Sequence, residues 1–240
     1  MEEEKEYLEC ERLWVFALLI FVGGYFGVYT FLMRGGVFCN AQTANFVLFA
    51  IELGHGNFSK AAYYFIPMSA YMMGAFVSEI VSFKLTQIKF LRWETILCAV
   101  EILFIVILGF LPDSAPFQIS QVAINFICSM QYNTYRQAEG IPIATTFCTN
   151  HTRQVGIHLC HFLFSDKKKK ALKRLGSHFS MLLMFVAGGV ICVLMCKLAG
   201  GKAIWGAIIP MSVLFFDFLH ADLTKERDRL NSLPHGYNKY

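Results

Sequence analysis

The sequence predicts an all-α fold, a bundle of transmembrane helices, on three observations. Hydrophobic residues make up 56% of the 240 positions and charged residues only 16%, more apolar material than a water-soluble domain can hide. Apolar runs of roughly 20 residues, the length that crosses a bilayer core, recur along the whole chain. Phenylalanine alone contributes 24 residues, which helices facing hydrocarbon tolerate because lipid is their solvent.

Residues 1–12 form an acidic, cytoplasmic N-terminal segment, with Glu2, Glu3, Glu4, Glu6, Glu9 and Glu11 set against Lys5 and Arg12. A cleaved secretory signal starts positive and carries a short apolar core, so the first apolar run is expected to be a retained span. Five segments are plain spans: Leu13 to Met33, Ala61 to Phe83, Thr95 to Leu111, Ser177 to Cys196 and Ala203 to Leu219. A sixth, Ala115 to Tyr135, carries Gln118, Gln121, Asn125, Gln131 and Asn133, so part of its surface must face protein or water. Residues 220–240 read as a polar C-terminal tail.

Two further stretches behave differently. In Gly36 to Leu53, Asn40, Gln42, Thr43 and Asn45 would point to about 0°, 200°, 300° and 140° around a helix, leaving no clean face for lipid. In Ile141 to Phe164, Thr149, Asn150, His151, Thr152, Arg153 and Gln154 are consecutive and surround the axis. Such segments are tolerable at membrane depth only when enclosed, or when re-entrant or broken around a cavity. The two also match: Phe38, Cys39 and Thr43 repeat as Phe147, Cys148 and Thr152 at a constant offset of 109, and Asn45 meets the amide Gln154. The surrounding order repeats as well, with a Gly-centred span (Gly74; Gly188 and Gly189) in each half. Two membrane repeats are expected, residues 13–111 and 115–219, and interrupted segments at matching places in two halves point to a transport site.

Loop charge bears on topology. If both polar stretches cross fully, eight spans put Lys84, Lys89, Arg92 and Arg136 outside. If both are re-entrant, about six spans form an inverted repeat, and those residues join the run Lys167 to Lys170 with Lys173 and Arg174 in the cytoplasm. Arg34, Lys60, Lys197 and Lys202 then lie outside, and the preference of Lys and Arg for the cytoplasmic side favours six. The same run accounts for most of the formal charge of +4; confined between apolar segments, it fits anionic lipid headgroups and not nucleic acid. Cys39, Cys98, Cys128, Cys148, Cys160, Cys192 and Cys196 all fall in apolar segments and read as free thiols used for packing.

The residues also resemble a known family. Gly24-Tyr25-Phe26-Gly27-Val28, Gly35-Gly36-Val37-Phe38 and Thr43-Ala44-Asn45 look like the N-terminal signature of the YoaK-like family of uncharacterised bacterial membrane proteins. Met130-Gln131-Tyr132-Asn133 and Thr149-Asn150-His151-Thr152-Arg153 are similar to two elements of its second half. Departures are Gly27, where the family has an acidic residue, and Ala44 and Asn150, where it has glycines. The resemblance runs from about Leu13 to Leu219 and implies a multi-pass protein of the bacterial inner membrane without an established substrate.

The candidate site follows from the polar stretches. Asn40, Thr43, Asn45, Gln131, Asn133, Thr149 and Thr152 would supply hydrogen bonds to a small polar or anionic solute. Arg153 would supply a fixed charge, either to the solute or in a salt bridge with Glu101 or Glu79. Glu101, near the middle of its span, reads as a proton-coupling carboxylate or as a protonated or paired structural one. Glu79 and Asp217 read as interfacial charges. His151, His158 and His161, with Cys148 and Cys160, lack the spacing of a closed zinc site and read as polar lining. No phosphate loop, HExxH helix or GxSxG elbow occurs. No cofactor or metal is therefore expected, and an intramembrane enzyme ranks third among the functional readings. The function expected is a small-solute transporter or channel, the alternative a membrane scaffold or assembly partner; lipids are expected partners and a homo-oligomer is compatible with either.

Overall fold

In the computed structural model, which describes residues 7–85, 90–230 and 232–236, eight α-helices and one short hairpin make up the regular structure. They are α1 (Leu13–Met33), α2 (Gln42–Gly54), α3 (Phe58–Leu85), α4 (Trp93–Gly109) and α5 (Phe117–Thr134). After the hairpin β1 (Gln137–Ala138) and β2 (Ile141–Pro142) come α6 (Thr149–Phe164), α7 (Lys168–Ala199) and α8 (Ile208–Leu223). Glu2, Glu3, Glu4, Lys5, Glu6 and Lys89 lie outside the described residues, as does the side chain of Lys84.

Among the described residues, three stretches are long and apolar enough to cross a membrane: Leu13–Met33, Phe58–Ser82 and the continuous Lys168–Leu223. With an outer belt of exposed Phe65, Met72, Phe76, Leu183, Val186 and Val190, they mark a membrane protein, because water would oppose such a surface. The segments expected to span fold as α1, α3, α4, α5, α7 and the unit 200–223, a 3-10 turn (Gly200–Ala207) leading into α8, but α4 and α5 are not among the three stretches long and apolar enough to cross. One boundary differs from expectation. Helix α7 starts at Lys168 and not Ser177, so the basic run forms the first turns of a helix; Lys favours helical backbone when it has water on one side.

Each polar stretch is a turn-rich lead-in followed by a short helix. Residues 36–41 precede α2, of 13 residues, and residues 143–148 precede α6, of 16. At 1.5 Å per residue those helices reach only about 20 and 24 Å, short of a roughly 30 Å hydrocarbon core.

The core is α1, whose Val15, Phe16, Leu19, Ile20, Val22, Tyr25, Phe26 and Tyr29 are fully buried. It packs on α7, just as α5 packs on α3; α2 lies on α3 as α6 lies on α7, and α4 lies on α8. The crossings depend on glycine. A Cβ at Gly188 would strike the Phe21 carbonyl, one at Gly24 the Phe185 carbonyl and one at Gly74 the Phe126 carbonyl, so the backbones come closer than any side chain allows.

Hydrogen bonds define two ends of the bundle. At one end Tyr63 Oη donates to the Gly35 carbonyl at 3.0 Å, and Gln121 Nε2 donates to Tyr63 Oη and the Arg34 carbonyl at 2.6 Å each. Gly35 has φ 78°, a left-handed turn that favours glycine. At the other end Arg136 pairs with Glu79 at 2.8 Å, and Arg92 faces Glu226 at 3.3 Å and Asp222 at 3.5 Å. There, too, Glu139 N–H donates to the Glu11 carbonyl at 2.9 Å and Lys173 meets Glu139 at 3.5 Å. Thus α1 ends and α3 begins at the Tyr63 end, while α5 ends and α7 begins at the Arg92 end.

Candidate functional site

The two lead-ins meet on the middle of α1, where glycines make room. Asn40 Nδ2 donates to the Gly23 carbonyl at 2.8 Å, and its carboxamide occupies the space a Cβ on Gly27 would take. From the other lead-in, the Thr145 carbonyl lies 2.7 Å from where a Cβ on Gly23 would sit. Cys39 and Cys128 sulfurs lie 3.7 Å apart, and Gln42 Nε2 donates to Asn125 Oδ1 at 2.7 Å, joining the first lead-in to the middle of α5.

Each break is held open in the same way. In the first, Asn45 Oδ1 accepts the Phe38 N–H at 3.1 Å while Nδ2 donates to the Phe38 carbonyl at 2.6 Å. In the second, His151 Nε2 lies 2.8 Å from the Ala144 carbonyl, also seven residues back. A buried side chain in the first turn of the short helix thereby satisfies lead-in backbone that no helix serves. In the second break this capping role falls to His151 and not to Gln154, the residue that matches Asn45 in sequence.

Two cavities adjoin these lead-ins. The first, ≈ 520 Å³, is lined by Phe31, Phe38, Asn40, Thr146, Phe147 and Thr149 among others, and its wall is mainly apolar. The second, ≈ 440 Å³, opens toward the Arg92 end and is lined by Tyr132, Asn133, Arg136, Phe147 and Asn150 among others. Phe147 lines both. Its ring packs edge-on to Tyr132 at 4.9 Å, and its repeat partner Phe38 stacks on Phe31 at 4.7 Å.

Of the residues expected at the site, the structure brings together Asn40 and Thr149 in the first cavity and puts Asn133 in the second. Asn133 also donates to Glu79 Oε2 at 2.8 Å. Asn45 and Gln131 are fully buried in packing positions, Gln131 Nε2 donating to the Leu19 carbonyl at 3.2 Å. Thr43, Thr152 and Arg153 are exposed and line neither cavity. Arg153 donates to Asn150 Oδ1 at 3.1 Å, and Glu79 takes Arg136 as its partner, so neither of the salt bridges weighed for Arg153 is formed. Glu101 is 1% exposed, and among the described residues neither carboxyl oxygen has a hydrogen-bond partner. Among the described residues the Ser129 and Thr145 hydroxyls and Gln131 Oε1 are likewise buried without partners, an accumulation of unpaired polar atoms that ordinary cores avoid.

Sequence reading missed Phe147, Arg136 and Asn150 as lining, although the Phe38–Phe147 identity was a usable signal for the first. It also missed His178, whose Nδ1 lies 3.0 Å from His151 Nδ1. Among the described residues, no three His, Cys, Asp or Glu are grouped to hold a metal ion, and all eight cysteines are free thiols.

Comparison with known proteins gives one match. A family model described as "Protein of unknown function (DUF1275)" matches residues 15–216. No curated protein and no solved structure matches the chain.

Proposed function

We propose that this chain, which belongs to the DUF1275 family of proteins of unknown function, passes a small solute across a membrane by way of the two cavities that meet at Phe147. The observation that carries the reading is that pairing of interrupted segments. Lead-ins from opposite ends of the bundle reach the middle of α1, and one aromatic ring stands between a cavity open toward the Arg92 end and a second on its far side. Discontinuous helices at matching places in two halves characterise transporter sites.

The topology proposed is six spans, α1, α3, α4, α5, α7 and 200–223, with residues 36–57 and 136–167 re-entrant from opposite sides. Supporting it, α1 and α7 share a direction, as do α3 and α5, while α4 and the last span run opposite: Thr95 bonds Asp222 at 2.6 Å and Trp205 bonds the Val106 carbonyl at 3.2 Å. The halves are then an inverted repeat. The Arg92 end carries Arg136, Lys167 to Lys170, Lys173 and Arg174, so it faces the cytoplasm. The family resemblance argues for the bacterial cytoplasmic membrane.

The chemistry narrows the solute. Among the described residues no cation lines the first cavity, whose polar groups include Asn40, Thr146 and Thr149, so it suits a small molecule with an apolar body and a hydrogen-bonding group better than a bare anion. Arg136 and Asn133 would meet the solute at the cytoplasmic mouth. Glu101, unpaired and buried, is the candidate for carrying a proton, because an ionised carboxylate without donors is costly there. The test is flux into vesicles reconstituted with the full chain, across a panel of small amphipathic solutes, with and without a pH gradient. Phe147→Ala should raise flux severalfold and Phe147→Trp should block it; equal flux in both variants and the parent protein rules out the Phe147 gate. Absence of flux for every solute favours a scaffold instead.

A further inference from the structure

The basic run is organised at one face. Lys167, Lys170 and Arg174 stand at the start of α7 with the spacing i, i+3, i+7, which aligns them on one stripe. Opposite them on α6, His158 and His161 are three apart and their ring centroids are 5.8 Å from each other. Together with Ser165 and Ala171 these residues enclose a recess of ≈ 230 Å³ between α6 and α7. Lys168 and Lys169, from the same run, do not line it, and Lys173 turns away to Glu139.

His158, 6% exposed, is held in the wall by stacking on His178 with ring centroids 5.8 Å apart. The first N–H groups of α7 have no side-chain cap at Lys167, and those N–H groups add positive field at the same place. Among the described residues no carboxylate lines the recess. Its own walls therefore leave its positive charge uncompensated.

We propose that this recess is a binding site for a phosphate-class anion, held by Lys167, Lys170 and Arg174 with His158 and His161 as hydrogen-bond donors. It lies at the cytoplasmic end of the proposed topology, where the chemistry is met either by the headgroup of an anionic lipid or by a free phosphate or phosphomonoester. The site does not require the transport reading. It would stand if the chain moved no solute.

The experiment uses the full chain, the double variant K170Q/R174Q, and K168Q/K169Q as a control that removes equal charge from the same run outside the recess. Melting temperature in detergent is titrated with inorganic phosphate at constant ionic strength, and retained lipid is weighed by native mass spectrometry after exchange into bilayer discs of phosphatidylcholine with or without phosphatidylglycerol. The expected result is saturable binding in the parent and the control, weakened tenfold or more in K170Q/R174Q. Saturation with phosphate assigns a soluble anion; phosphatidylglycerol retention without a phosphate response assigns a lipid headgroup. Equal weakening in both variants reduces the effect to diffuse attraction and overturns the proposal, as does no saturable binding of either probe.

Discussion

Gly188→Ala adds one methyl group where α7 crosses α1, and that Cβ would overlap the Phe21 carbonyl oxygen. The obstacle is main chain, which cannot rotate away as a side chain would, so the helices must separate. Overpacking of this kind costs about 1–3 kcal/mol, while alanine returns up to about 1 kcal/mol of helix propensity. Gly74→Ala faces the same geometry against the Phe126 carbonyl in the other half and should suffer a similar loss. Gly156 and Gly176, on α6 and α7, have nothing within 4 Å of an added Cβ, so alanine there should be neutral or stabilising. The two classes should therefore differ by about 2 kcal/mol, roughly 30-fold in the folding equilibrium, or about 4–8 °C in melting temperature for a chain of this size. Melting of the four variants in detergent reads this directly. Gly188→Ala and Gly74→Ala proteins as stable as the Gly156→Ala protein would refute the close crossings and, with them, the matched halves.

Other outcomes follow from the same contacts. Arg92→Met leaves Asp222 and Glu226 as buried carboxylates without their cation and should cost about 3–5 kcal/mol, measured as loss of folded protein in urea; a loss below about 1 kcal/mol contradicts the buried pairing. Asn45→Ala strands the Phe38 N–H and carbonyl and should cost about 1–3 kcal/mol, with faster deuterium uptake in residues 36–41; unchanged uptake removes Asn45 from its capping role. Glu101→Gln is isosteric at a site where the carboxyl has no partner, so stability should change by less than about 1 kcal/mol while any pH-driven component of flux disappears. A strongly destabilised Glu101→Gln protein would mean that the carboxylate is a structural partner.

The helices were legible because a bilayer imposes length and hydropathy on each one; α1 has the bounds read from sequence, and α3, α4 and α5 fall within a few residues of them. The broken segments were legible too, since six consecutive polar residues from Thr149 have no lipid-compatible helical arrangement. What those residues do was not. Amide chemistry made Asn40 and Asn45 look alike, but Asn40 lines a cavity while Asn45 spends both amide atoms on Phe38. Arg153 had the right charge for a solute contact, yet its place in α6 turns it outward. The ion pair of Arg92 with Asp222 joins residues 130 positions apart, a distance over which no periodicity speaks. His178 sits in an otherwise apolar span, and its pairing with His151 emerges only when α6 folds back on α7.

The central claim is that residues 36–57 and 136–167 enter the membrane from opposite sides and return. Single cysteines at His55, Asp113, Phe90 and Asp166, in a background lacking the native thiols, can be labelled with an impermeant maleimide in intact cells. The account predicts labelling at 55 and 113 from outside, and protection at 90 and 166 until the cells are opened. Labelling at 90 with protection at 55 and 113 would mean eight full crossings and would contradict the re-entrant, inverted arrangement.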